Sequence, residues 1–213
     1  MNKLYVFWTG SNIMSENRKM SLQQLETVSG ADIILVNADN LDGYILPEEP
    51  LHPAYEYLSA THRADYLRTY FMNFHGGGYS DIKRTTGCWI SSFDELRNNK
   101  DKWMIGYTEW EGCGEPSLRD KWRELIGNGC YIAKPQTPLT NQWYNNMISV
   151  LDNKLELLKR FPATFEQDRS EISDGKYPLA WEEILRDVFH PVAYKYRERL
   201  LYTLPAYVFG DYR

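Results

Sequence analysis

Three observations predict an α/β layer fold. A short β-prone apolar run, Leu4 to Trp8, is followed by a capped amphipathic stretch and then by a second apolar run, Asp32 to Asn37, so strand, helix and strand succeed one another before residue 38. The 213 residues are enough for one sizeable core, read as one domain over residues 1–213. With 43% hydrophobic and 25% charged residues the composition is that of a globular chain, which excludes disorder, collagen and coiled coil.

The elements follow in order. The first strand ends in Thr9-Gly10, as a buried strand should. Ser15 can cap a helix whose apolar side is Met20, Leu22, Leu25 and Val28 and whose stop is Gly30. From Pro53 to Phe74, Tyr57, Ala60, Ala64, Leu67, Phe71 and Phe74 repeat at threes and fours, which predicts a helix burying one stripe, stopped by Gly76-Gly77-Gly78. Thr61, Asp65, Arg68 and Met72 share one flank of that stripe, a flank able to line a cleft. Further strands are expected around 79–83, 103–108 and 129–133, and further helices over 117–126, 141–160 and 179–189. Residues 162–177 are polar, with Phe165, Ile172 and Tyr177 as their large apolar side chains, and predict a long surface loop.

A formal net charge of −5 argues against nucleic-acid binding by bulk attraction, so an anionic ligand would need a local cation. The apolar run near the start is far too short for a signal peptide or a membrane span, which predicts a soluble, cytoplasmic chain. Cys88, Cys113 and Cys130 have no C-x-x-C spacing and read as reduced core thiols, with Cys88 and Trp89 both left to the core. Neither G-x-G-x-x-G after a strand nor G-x-x-x-x-G-K-[ST] occurs, which disfavours dinucleotide and P-loop enzymes.

The most informative stretch is Ala64-Asp65-Tyr66-Leu67-Arg68 followed by Phe74-His75-Gly76-Gly77-Gly78-Tyr79-Ser80-Asp81-Ile82-Lys83. It sets a carboxylate and a guanidinium one helical turn apart, then a glycine-rich turn, then a second carboxylate on the emerging strand. That combination can hold a polyol and a metal-bound diphosphate; equally, Asp65 and Arg68 can be a surface pair and the glycines a helix cap. If the strand is regular, Asp81 and Lys83 face one side, where the ammonium can pair with phosphate oxygens. Glu109 and Glu111 would also share a face, as a base or acceptor-binding pair or, more commonly, as a solvated acidic edge.

The order A-D-x-x-R … G-G-x-Y-x-D resembles the signature of DXD-type sugar transferases with the GT-A fold, of the capsular-polysaccharide and initiating-mannosyltransferase type, usually S-D-x-x-R … G-G-x-Y-x-D-x-D. Phe7-Trp8-Thr9-Gly10 is similar to the W-x-G that ends their first strand and touches the nucleotide. Weaker similarity runs through Asn128 to Pro135 and Tyr177 to Trp181 and ends in Phe189-His190-Pro191. More narrowly, the chain resembles glycosyltransferase domains of the chlorella viruses, which build capsid-protein glycans. Lys83 stands where the family has its second acid.

The resemblance implies a GT-A (Rossmann-like) domain with a central mixed, mostly parallel sheet flanked by helices. It implies transfer, with retention, of a sugar from a nucleoside-diphosphate donor, UDP being the commoner nucleotide, to a glycan or glycoprotein acceptor. Trp8, Thr9, Gly10, Asp65, Arg68, Gly77, Gly78, Tyr79, Asn128 and Trp181 would contact nucleotide and sugar. Asp81 would bind Mn²⁺ or Mg²⁺ with His190 as the distant ligand, and Asp65, Arg68 and Lys83 would carry the chemistry. The alternative, prompted by the missing second acid, is a non-catalytic module that binds a nucleotide sugar or carbohydrate.

Overall fold

The computed structural model describes residues 2–174 and 176–210. Met1, Gly175 and residues 211–213 belong to the expected domain, and Gly175 to the expected loop; they lie outside the described residues.

The elements are β1 (Lys3–Trp8), α1 (Glu16–Ser29), β2 (Asp32–Asn37), α2 (Ala60–Phe74), β3 (Gly77–Ser80), α3 (Ile90–Asn98), β4 (Met104–Thr108), β5 (Ile126–Ala133), α4 (Pro138–Arg160), α5 (Arg186–Lys195) and β6 (Leu200–Leu201). The strands form one six-stranded mixed sheet in the order β2-β1-β3-β5-β4-β6. Only β5 is antiparallel to its neighbours β3 and β4; the β2–β1, β1–β3 and β4–β6 pairs are parallel.

Residues of β1 alternate between the two faces, as a pleated strand requires. Tyr5 and Phe7 point into a core built with α2 and α4, beside Phe71, Tyr79 and Trp143, while Leu4 and Val6 point into a second core with Leu25, Trp89 and Phe93. Both faces of the sheet are therefore covered, which is why β1 reads as a continuous apolar run.

Helix α1 begins and ends as expected: the Ser15 side chain accepts the Arg18 N–H, and Gly30 closes the helix at φ 68°. Met20, however, points outward at 60% exposure while Leu25 is buried. The expected helix from Pro53 divides in two. Pro53–Tyr57 is a 3-10 turn, and Ser59, in extended backbone, starts α2 by accepting the His62 N–H. Met72, expected beside the cleft, lies wholly in the core. Residues 117–126 form a 3-10 segment, Pro116–Glu124, with no buried residue, before β5 begins. The last helix starts seven residues later than Leu179, at Arg186, and runs through Pro191, because 181–185 are turns. Trp89 is fully buried, whereas Cys88 and Cys113 are exposed and Cys130 alone is a core thiol.

Phe71 is fully buried, with its ring centroid 4.9 Å from that of Tyr5 and 5.0 Å from that of Phe7. Phe71→Ala should therefore lower unfolding stability by about 3–5 kcal/mol in urea denaturation. A change of less than about 1 kcal/mol would show that this ring does not join α2 to the sheet.

Candidate active site

A cleft of about 500 Å³ opens where the carboxyl ends of β1, β3 and β4 meet the start of β5. Open α/β sheets bind ligands at such ends because strands deliver side chains there while the loops leave room. β1 supplies Trp8, Thr9 and Gly10, β3 leads into Asp81 and Lys83, β4 into Glu109, and β5 contributes Asn128. Helix α2 presents Thr61, Asp65 and Arg68 from one side, and Trp181 and Glu182 face it from the loop before α5.

Arg68 is the hub. Its guanidinium lies 2.8 Å from Asp65 and 3.4 Å from Asp81, donates to the Asn128 carbonyl at 2.8 Å, and sits 4.5 Å from the centre of the Tyr79 ring. Asp65 is buried, and neither of its oxygens has a hydrogen-bond partner among the described residues, so it approaches Arg68 as a charge without completing a hydrogen bond. Burial drives its carboxyl up to about 7, against the pull of Arg68. A buried acceptor in this condition gains from a ligand hydroxyl that donates to it.

Asp81 behaves in the opposite way. Burial opposes its ionisation, yet Lys83, Arg68 and the Tyr79 hydroxyl, which donates at 2.6 Å, hold the carboxyl down at about 2. The strand ends at Ser80, before the two charged residues; the Asp81 N–H instead donates to the Gly129 carbonyl. A tight turn, closed by the Lys83 N–H on the Asp81 carbonyl, still brings Lys83 Nζ to 3.0 Å from Asp81 Oδ2. The ammonium also lies 4.0 Å above the Tyr207 ring. This part of the cleft has two buried cations against two carboxylates, one of which is held ionised.

Three expected site residues fall elsewhere. Gly77 and Gly78 do not line the cleft: they open β3, where a Cβ on Gly77 would meet the Lys3 carbonyl and one on Gly78 would meet Leu4 and Phe93. These glycines let β3 lie close against β1. His190 is fully buried, with both ring nitrogens engaged. Nδ1 accepts the Glu115 N–H at 3.1 Å, so Nε2 carries the proton and donates to the Ile126 carbonyl at 3.1 Å, leaving no lone pair for an ion. Burial lowers its pKa to about 4, which keeps it neutral.

Glu109 and Glu111 also part company. The strand has ended at Thr108, so the pair does not share a face; Glu111 is exposed while Glu109, 6% exposed, lines the cleft. Sequence reading undervalued Glu109, and missed Tyr107, Tyr207 and Phe209. The available signal was positional: Glu109, like Asp81, is the first residue after a strand of the same sheet.

Among the described residues no three His, Cys, Asp or Glu side chains gather into a metal cage. An ion that takes most of its oxygens from a bound diphosphate and water needs only one or two carboxylates. Asp81, ionised and with a quarter of its side chain exposed, fits that demand alone.

No protein-family model matches this chain, and no curated protein matches it by sequence. Among solved structures, PaToxG Glycosyltransferase superimposes over 91% of this chain and 69% of that one, with a TM-score of 0.51 and 12% sequence identity. This chain shares the fold of that structure. It is an α/β layer with one mixed sheet flanked by helices, as the sequence predicts, and no helix among the described residues is long and apolar enough to cross a membrane.

Because the Asp65 carboxyl is raised on folding, the native state binds more protons than the unfolded chain, and this residue's contribution to stability is lost as pH climbs from its ordinary value of 3.8 through about 7. Asp65→Asn should therefore lose less stability than the wild type between pH 4 and pH 7.5, by urea denaturation. Parallel pH profiles for the two proteins would mean that Arg68 compensates the buried charge fully.

Proposed function

We propose that this chain is a glycosyltransferase domain that moves a sugar from a nucleoside-diphosphate donor, UDP in the first instance, to a hydroxyl of a glycan or glycoprotein. The observation that carries the reading is the buried Asp65–Arg68–Asp81–Lys83 cluster at the strand ends of a glycosyltransferase fold. The likeness to the PaToxG glycosyltransferase structure supports the class of reaction, and the sequence motif that resembles DXD-type transferases includes Asp65, Arg68 and Asp81, with Lys83 at the position of the family's second acid.

In this reading Trp8, Thr9 and Gly10 border the nucleotide. Tyr79 backs Arg68 through its ring, and Asp65, whose oxygens lack hydrogen-bond donors among the described residues, takes sugar hydroxyls. Asn128 and Trp181 border the sugar, the first with a side-chain oxygen that has no hydrogen-bond partner among the described residues and the second with an indole face suited to sugar C–H groups. Asp81 holds Mn²⁺ or Mg²⁺ against the diphosphate; the ion, when bound, stabilises charge that grows on the leaving phosphate. Arg68 and Lys83 supply charge-assisted contacts to the same oxygens, which strengthen as the glycosidic bond breaks. The proposed setting is the cytoplasm, whose reducing conditions suit the free thiols of Cys88 and Cys113.

Lys83 in place of the second acid favours the alternative reading, a module that binds the nucleotide sugar without turnover. The two readings separate on a panel of UDP-, GDP-, CDP- and dTDP-sugars assayed for release of the nucleoside diphosphate: a transferase releases it, a binding module does not. In thermal-shift measurements UDP should stabilise the protein only with Mn²⁺ or Mg²⁺, by about 2.7 kcal/mol at 100 times its Kd. Asp81→Ala should abolish this metal-dependent shift, while Lys83→Ala should lower kcat more than it weakens binding. Equal UDP binding in excess EDTA would overturn the ion on Asp81 and leave Lys83 and Arg68 as the phosphate partners.

A further inference from the structure

We infer that Tyr207 is a positioning residue for this transferase: its ring holds the Lys83 ammonium beside Asp81 without neutralising it, so that the charge remains available to the diphosphate. This inference rests on the donor-site reading above and concerns Lys83, where the chain departs from the signature it resembles.

A lysine is a flexible four-carbon stem with a strongly hydrated head, so a lysine that serves a phosphate site needs partners to fix it. Asp81 is one, with Oδ2 at 3.0 Å from Nζ. In the donor-site reading Asp81 also faces the ion and the diphosphate, so its hold on Lys83 weakens as the ligand binds. Tyr207 is a partner that stays: Nζ lies 4.0 Å from the centre of its ring, with the Phe209 ring at 5.1 Å. A further carboxylate at this place would cancel the charge that the diphosphate needs. A ring face attracts an ammonium through its quadrupole and adds no negative charge. Burial raises the Tyr207 phenol above its ordinary range, so the ring is neutral.

The backbone fixes where that ring arrives. Directly after Lys83, residues 84–86 run antiparallel to 206–208, with Thr85 paired to Tyr207. The Val208 N–H donates to the Arg84 carbonyl at 2.7 Å and the Thr86 N–H to the Ala206 carbonyl at 3.0 Å, so hydrogen bonds on both sides of Tyr207 lock its register against Lys83. The ring then crosses β5 at Gly129, where a Cβ would lie 1.9 Å from it, and meets the Tyr107 ring edge-on at 5.5 Å. Packing alone would not set a ring face against an ammonium whose side chain is only 8% exposed, because burying a charge is costly unless it is compensated.

The test uses the whole chain. In protein carrying ¹³C-labelled lysine, the Lys83 ε-methylene protons, assigned by their loss in Lys83→Ala, should resonate upfield of those of the other lysines through the Tyr207 ring current. The displacement should persist with UDP and Mg²⁺, survive in Tyr207→Phe and collapse in Tyr207→Leu. On the donor of the panel above that wild type turns over fastest, Tyr207→Leu should lower kcat about tenfold and keep the thermal shift with UDP and Mn²⁺, while Tyr207→Phe stays within about twofold of wild type. In a Lys83→Ala background, Tyr207→Leu should change kcat by less than about twofold, because the ring acts through the ammonium. A tenfold loss in that background, or Tyr207→Phe as impaired as Tyr207→Leu, overturns the inference and assigns the effect to packing or to the hydroxyl. A Lys83 resonance that leaves the ring's field when UDP binds also overturns it, and that measurement on the wild type needs no variant to fold. All of these outcomes leave the transferase reading standing. If wild type neither binds UDP nor releases a nucleoside diphosphate from any donor, the transferase reading falls and takes this role with it.

Discussion

A single buried guanidinium organises this molecule. Arg68 reaches from α2 across the carboxyl end of β3 to a carbonyl of β5, and in doing so ties two consecutive elements to a strand 60 residues further along the chain. A cation so enclosed is costly unless its charge is matched and its donors are used. Asp65 and Asp81 match the charge, the Tyr79 ring covers one face, and the Asn128 carbonyl takes one donor. Arg68 Nε has no partner among the described residues. The cluster is therefore balanced in charge and incomplete in hydrogen bonds, the condition in which a polar anionic ligand adds more than it displaces.

The two carboxylates flanking that guanidinium are pushed in opposite directions by their settings. Asp81 has two cations and a phenol within reach and stays ionised; Asp65 has one cation and, among the described residues, no hydrogen-bond donor, and burial prevails. Divergent environments for chemically identical groups are how a site assigns different tasks to them. Here one carboxylate suits a permanent partner for metal or phosphate charge, the other a partner for hydroxyls.

Much of this was legible in the chain. The pattern of β1, α1 and β2 follows from alternating and helical periodicity together with the Ser15 and Gly30 caps, and these are local effects. Thr61, Asp65 and Arg68 reach the cleft together because helical spacing alone sets them on one flank. What the sequence concealed was decided at a distance. Nothing local tells that Asn128 and the Ile126 carbonyl surround His190, that Glu109 turns inward while Glu111 does not, or that Tyr207 returns to cover Lys83. Gly77 and Gly78 misled for a related reason. A glycine that admits a ligand and a glycine that admits a neighbouring strand look alike until the strand order is known.

The floor of the cleft has its own consequence. β5 carries bare backbone at Gly127 and Gly129, where a Cβ would lie 2.0 Å from the Tyr107 ring and 1.9 Å from the Tyr207 ring. Two tyrosines lie flush on the bare backbone at these two positions, so the floor there is supplied by Tyr107 of β4 and by Tyr207. No side chain can be grown upward from β5 at those positions without lifting a ring. Diversification of such a pocket is therefore channelled to its walls: descendants of this chain could change what the cleft accepts by altering the segments after β4 and before α5, while the pavement beneath stays fixed.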